Sequence, residues 1–153
     1  MELEQVLVRL GAATLVGMLL GLDRELRGFP AGLRTHGLVA LSSAAITVSA
    51  LKLQQELAPG GVETDPLRVV QGLAQAIGFI AAGLIFASRG TVHNVTTAAN
   101  VWLAAALGIA AGAAHFDVML AAFGFGILLL VVVGLFESRF SPDKDKDKRD
   151  RES

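Results

Sequence analysis

The chain contains no cysteine and only one tryptophan and four prolines among its 153 residues. Without cysteine it forms no disulfide, thiolate nucleophile or haem-attachment motif. Acidic charge is missing from another informative place. The carboxylates nearest to any long apolar run are Glu4, Asp23, Glu25, Asp117 and Glu137, and all stand at run ends. Proton- and cation-coupled carriers usually keep an ionisable group inside the membrane, so this distribution argues against an ordinary pump or secondary carrier. No Ser/His/Asp set, metal motif or nucleotide loop is present either. The chain is therefore expected to be non-enzymatic and to need no cofactor, and no nucleic-acid partner is expected.

What the chain has is five apolar runs: Leu3–Leu22, Thr35–Leu53, Val69–Ala87, Val95–Ala114 and Val118–Phe136. A hydrocarbon core about 30 Å thick takes about 20 apolar residues of helix. Inside lipid every backbone N–H and C=O has to be paired, which leaves only helices or a closed barrel. Barrel strands alternate apolar and polar residues over about ten positions, and these runs do not alternate. The expectation is an all-α, polytopic protein with five transmembrane helices and the lipid bilayer as its solvent. At 53% hydrophobic residues and a mean hydropathy of +0.58, residues 1–140 suffice for one bundle. Residues 141–153 (SPDKDKDKRDRES) alternate charge without an apolar residue and read as a disordered tail. The first run does not read as a cleavable signal peptide, because its leader is acidic (Glu2, Glu4) and four more runs follow.

Orientation follows from lysine and arginine in the short loops. With the N-terminus outside, the inner segments hold Arg24, Arg27, Arg34, Arg89, Arg139 and the five basic residues of the tail, against Arg9, Lys52 and Arg68 outside. Ten against three sets the N-terminus out and the C-terminus in.

Between the first two runs, Asp23–Arg34 (DRELRGFPAGLR) is dense in charge, and Gly28, Pro30 and Gly32 interrupt helix there. Thr35 is placed to cap the second helix. Gln54–Arg68 reads as a polar outer loop. Ser88–Asn94 reads as a short inner loop that makes helices 3 and 4 a tight antiparallel pair. Ala114–Asp117 is a minimal outer turn.

Small residues recur at helical spacing and let helix backbones approach. Helix 1 carries Gly11, Thr14, Gly17 and Gly21, the last two forming GxxxG. Helix 2 aligns His36, Ala40, Ser43, Thr47 and Ala50. Helix 3 aligns Gln71, Gln75, Gly78 and Ala82, with Gly83 beside them, and helix 4 runs Thr96, Asn100, Ala104, Gly108 and Gly112 next to Thr97. Helix 5 is bulkier and is expected to face more lipid. Gln71, Gln75 and Asn100 either bond across helices or line a hydrated cavity. The two close-packing stripes, Gly17/Gly21 and Gly108/Gly112, are candidates for a homodimer contact or for docking on another membrane complex. His93 and His115 have no partners at metal-ligand spacing.

The richest candidate for chemistry is the inner cluster Asp23, Arg24, Glu25, Arg27, Arg34, Thr35 and His36. Glu25 and Arg24 continue the small face of helix 1 past Gly21, so Glu25, Arg24 and Arg34 are expected to join helices 1 and 2 in one network. Asp23 and Glu25 are candidates for holding hydrated Mg²⁺, which keeps several of its waters; pairing with neighbouring arginines is the alternative.

The run G-M-L-L-G-L-D-R-E-L-R-G-F-P-A-G-L-R-T-H (Gly17–His36) resembles the signature of the MgtC/SapB family. D-P-x-R (Asp65–Arg68), I-G-F-x-x-A-G-x-I-F (Ile77–Phe86) and T-A-A-x-x-W-x-A-A-A-x-G (Thr97–Gly108) follow in the family's order. Asp23 stands where glutamate is usual, Ala76 and Ala81 where glycine is common, and Asn100 where threonine is. The resemblance covers residues 7–136 and has no counterpart of the ACT-like cytoplasmic domain of some members. It implies a bacterial inner-membrane protein with five helices, linked to growth at low magnesium and, in some pathogens, to survival in host cells. Some members are described as restraining the F-type ATP synthase, and magnesium transport is not established for the family. The motif carries over to Asp23, Arg24, Glu25, Arg27, Gly32, Arg34, Thr35 and His36, and further to Arg68, Gly78, Gly83, Thr96, Thr97 and Trp102, without a catalytic role. The leading expectation is a regulator of magnesium or membrane-energy homeostasis; an ion or small-solute conduit is the alternative. A bundle without a polar path past Gln71, Gln75 and Asn100 favours the regulator.

The charge asymmetry predicts that a single cysteine introduced in the tail is shielded from an impermeant thiol reagent in intact cells, while one placed before Leu3 is labelled. The opposite labelling pattern would refute N-out, C-in topology.

Overall fold

A computed structural model describes residues 1–61, 64–88 and 91–133. The tail 141–153, and the loop residues Arg89 and Arg139 used for orientation, lie outside the described residues. The described residues form five α-helices: α1 (Leu3–Leu26), α2 (Leu33–Leu57), α3 (Leu67–Leu84), α4 (Val95–Gly112) and α5 (Phe116–Leu128). The first four are each long and apolar enough to cross a bilayer, and α5 is a shorter apolar helix. A π-helical turn, Leu129–Val133, continues α5. The chain is an all-α, multi-pass membrane protein.

Several helix ends differ from the sequence reading, each for a local reason. α1 runs one turn past Leu22, so Asp23, Arg24 and Glu25 are helical. It ends in a Schellman arrangement. The Gly28 N–H donates to Glu25 O (3.1 Å) and the Phe29 N–H to Arg24 O (3.0 Å), with Gly28 at φ +69°. α2 begins at Leu33, two residues before Thr35, and Thr35 does not cap it; Gly32 is the capping position and offers no side chain. At its far end α2 continues to Leu57 and a 3-10 turn, Ala58–Gly60. α3 stops at Leu84 instead of Ala87. Phe86–Ser88 then pairs antiparallel with Thr91–His93 as a small hairpin, β1 and β2. The hairpin satisfies backbone groups that a bare loop would leave unpaired. Phe86 stacks on His93 at 5.1 Å, and Asn94 Nδ2 donates to Leu84 O at 3.2 Å.

The core is formed by α1, α2 and α4, with Ala13, Val16, Leu20, Ala44, Ala104, Leu107 and Ala111 buried among them and Met119 of α5 closing one side. Helix association in lipid lacks a hydrophobic drive and depends on close van der Waals approach, which glycine permits here on both flanks of α2. A Cβ on Gly17 would lie 2.7 Å from both Ala40 Cβ and His36 O, and one on Gly21 would lie 2.7 Å from Gly32 O. On the other flank, a Cβ on Gly112 would lie 2.8 Å from Ala44 O and Thr47 Cβ, and one on Gly108 would strike the Ala40 carbonyl. Gly108 against Ala40 and Gly112 against Ala44 give a constant offset, so α2 and α4 run parallel, with α1 antiparallel to both.

α3 and α5 are peripheral. α3 buries only Leu73, Ile77 and Ala81, mostly against α4, where Gly78 sits over Trp102. The tight α3–α4 pair expected from the short connection is thus a looser contact than that between α2 and α4. α5 buries only Met119 and Gly126, in line with a lipid-facing helix. Arg9 of α1 donates through Nη1 to Gly112 O (2.8 Å), placing a cation on the C-terminal carbonyls of α4, where the helix dipole favours it.

Overpacking against a rigid backbone costs about 1–3 kcal/mol. Gly108→Val is therefore expected to lower thermal stability in detergent by several degrees. Gly72→Val and Gly83→Val, at positions where a Cβ meets nothing within 4 Å, should leave the midpoint within about one degree. Equal losses at all three positions would contradict the packing.

Candidate functional site

The end of the bundle where α1 turns into α2 gathers most of the charged and polar motif. Gly21 and Gly32 let the α1–α2 turn fold tightly, which brings Glu25 across to the start of α2. Glu25 Oε2 accepts the Leu33 N–H at 3.0 Å. A side chain on Gly32 would collide with that same carboxylate. The capping role assigned to Thr35 is thus filled from the preceding helix: a carboxylate meets an N-terminal amide that has no intrahelical acceptor, at the positive end of the dipole. Thr35 and Arg34 are exposed. The expected Glu25–Arg24–Arg34 network is instead divided among separate contacts.

Arg24 turns into the bundle and is only 5% exposed. Its Nη2 donates to Thr97 Oγ1 of α4, and its guanidinium lies over the Phe29 ring at 4.0 Å. The Schellman turn creates that stacking, since it folds Phe29 back over the last turn of α1. Asp23 accepts from Arg27 Nε at 2.8 Å, an i,i+4 pair on the outer side of α1. His36 is fully buried, with Nδ1 2.8 Å from Gly32 O. That carbonyl only accepts, so Nδ1 carries the proton.

With Asp23 on Arg27 and Glu25 on the Leu33 amide, the two carboxylates proposed for hydrated Mg²⁺ are each engaged by protein donors. Among the described residues no group of three His, Asp or Glu side chains is placed to hold a metal. Of the polar residues within the spans, Thr97 and Asn100 are buried on α4, whereas Thr96 is exposed. Gln71 and Gln75 are exposed on the side of α3 turned away from the bundle. Gly17, Gly21, Gly108 and Gly112 pack inside the molecule, Gly78 lies against Trp102, and Gly83 faces open space. Sequence reasoning missed Phe29 and Arg9. A φ-positive glycine followed by an aromatic residue was the available signal for Phe29, and nothing local signalled the Arg9–Gly112 bond.

The MgtC family matches residues 10–139. The chain belongs to the MgtC family. SapB of Bacillus subtilis is 34% identical over 145 residues, which cover 94% of this chain and 62% of SapB. Protein MgtC of Brucella abortus is 38% identical over 104 residues, 68% of this chain and 41% of that protein. YhiD of Escherichia coli K12, whose name carries a candidate magnesium-transport activity, is 33% identical over 129 residues, 84% of this chain and 59% of YhiD. The chain thus spans about three fifths or less of these relatives. No solved structure matches it. As a member of the MgtC family it is a multi-pass bacterial inner-membrane protein.

Removing a helix N-cap acceptor costs about 1 kcal/mol. Glu25→Ala in this MgtC-family protein is expected to lower stability by about that much and to speed hydrogen exchange at the Leu33 amide, whereas Arg34→Ala should change neither. If Arg34→Ala matched Glu25→Ala in both measurements, the divided arrangement would be wrong.

Proposed function

We propose that this protein is a non-enzymatic regulator in magnesium or membrane-energy homeostasis, acting through helix contact with a second copy of itself and, in that form, on a membrane complex such as the F-type ATP synthase. The observation that carries this reading is the allocation of polar and small residues. The glycine stripes of α1 and α4 are used up internally, closing α1 and α4 onto the α2 backbone. Gln71 and Gln75 stand outside that core on α3, and Asn100 is enclosed within it. Buried polar groups do continue along α2 at Ser43 and Thr47. Thr47 Oγ1, however, donates to the Ser43 carbonyl of its own helix at 2.8 Å, and its Cβ packs against Gly112, which supports a closed bundle over an open polar path.

The outward face of α3 instead suits protein contact. Gln75 lies eight residues from Leu67 and nine from Leu84, about 12 Å along the helix from its start and so near mid-membrane. An amide facing hydrocarbon there lacks a hydrogen-bonding partner at appreciable cost. Gly72 and Gly83 on the same side meet nothing within 4 Å, which leaves room for a close helix, and Phe79 is 83% exposed. Two copies in one membrane share orientation, so Gln75 meets Gln75 at equal depth, and an amide both donates and accepts. The homodimer contact thus moves from the glycine stripes to α3.

A conduit is the second reading, favoured by the buried polar groups at the α1–α2 end and by the activity that YhiD's name carries. Two measurements separate the readings. With cysteine introduced at exposed Ala82 in this cysteine-free chain, oxidation in native membranes is expected to give a cross-linked dimer, reduced several-fold by Gln71→Leu with Gln75→Leu. The same double substitution should impair growth at low magnesium, while purified protein in liposomes passes no Mg²⁺, H⁺ or K⁺ above empty vesicles. Saturable flux of any of these ions would overturn the regulator in favour of the conduit.

A further inference from the structure

We propose that Arg24, His36 and Asn100 form a binding site for one phosphate-type oxyanion at the α1–α2 end of the bundle. Three helices each contribute one polar side chain that is almost wholly buried: Arg24 of α1 at 5% exposure, His36 of α2 at 0% and Asn100 of α4 at 4%. Each keeps a polar atom without a hydrogen-bond partner: Arg24 Nε, His36 Nε2 and Asn100 Nδ2. Buried polar atoms are paired in the great majority of cases, so three unpartnered ones in one region point to a common ligand.

Packing places them together. Arg24 reaches α4 at Thr97, and Asn100 follows Thr97 by three residues, one turn along the same face. The parallel register of α2 and α4, with Gly108 against Ala40 and Gly112 against Ala44, puts Asn100 level with Gly32. The His36 ring turns back toward that level, since its Nδ1 faces Gly32 O.

The chemistry of the set selects an anion. Arg24 Nε and Asn100 Nδ2 only donate, and His36 Nε2, an acceptor in the neutral ring with its proton on Nδ1, becomes a donor when the ring takes up a proton beside the anion. The nearby carboxylates are committed elsewhere, Asp23 to Arg27 and Glu25 to the Leu33 amide. Arg24 is thus a buried cation with no carboxylate in salt-bridge contact among the described residues, a costly state unless an anion completes it. Guanidinium groups suit phosphate geometry. Arg24 stands two residues from the end of α1, about 3 Å along the helix axis, and so near the end of the first apolar span. The phosphate is therefore supplied either by a lipid headgroup or as free inorganic phosphate. The site stands independently of the regulator reading and of the α3 contact.

The test measures thermal unfolding of the full chain in two arms. In one, delipidated protein in detergent is titrated with inorganic phosphate, with chloride at matched ionic strength as control. In the other, protein in nanodiscs of phosphatidylglycerol is compared with protein in nanodiscs of a phosphate-free galactolipid. A saturable rise in midpoint in the first arm identifies free phosphate, and a rise only in the second identifies the headgroup; either supports the site. Arg24→Gln should weaken the response at least tenfold. Because that variant also loses the Thr97 bond and its fold is at risk, Asn100→Asp is the second variant. It is nearly isosteric, places an acceptor against the anion and should abolish the response, while Arg34→Gln, at an exposed position, leaves it unchanged. No saturable rise in either arm, or an undiminished rise in Asn100→Asp, overturns the proposal and leaves the three atoms to bound water.

Discussion

Backbone contact between α2 and its two neighbours is the constraint on which the rest of this protein depends. Lipid offers helices no hydrophobic reason to associate, so attraction comes from dispersion at short range. Gly17 and Gly21 of α1 bring one helix onto α2, and Gly108 and Gly112 of α4 bring another, each to distances that a methyl group would forbid. α2 is consequently the central helix, and the glycines on both sides have no surplus for contacts outside the molecule. A GxxxG motif read as a dimer signal is here an intramolecular joint.

The arrangement of charge follows from that joint. Once Gly21 and Gly32 allow α1 and α2 to cross closely, Glu25 lies over the first amides of α2 and holds the Leu33 N–H. The Schellman turn at Gly28 then folds Phe29 onto Arg24, and Arg24 extends to Thr97 of α4. One short segment thereby ties three helices together: Glu25 bonds to backbone, Arg24 to a hydroxyl and an aromatic face, and Asp23 to Arg27. Asp23 and Arg27 pair across one turn of helix, whereas Glu25 and Arg24, adjacent in sequence, do not pair with each other, because each has a better-placed partner fixed by the fold.

α3 sits differently. It touches α4 through a narrow apolar edge at Leu73, Ile77 and Ala81 and presents Gln71, Gln75 and open glycine positions outward. The α1–α2–α4 core is closely packed, whereas α3 is sparsely packed against it.

The five apolar runs, the all-helical class and the break at Gly28–Gly32 were legible in the sequence, because bilayer thickness and backbone pairing depend only on local composition. So was the family, since its motifs are contiguous. The helix ends at Leu84 and Leu33 were not, because a hairpin and a carboxylate from another helix terminate or start them. Which glycines pack internally, which way α3 turns its glutamines, and that Arg24 meets Thr97 while Glu25 meets Leu33 were decided only in the tertiary structure. Sequence spacing shows that residues share a helix face, but not which neighbour that face meets; that is set by how closely each pair of backbones can approach.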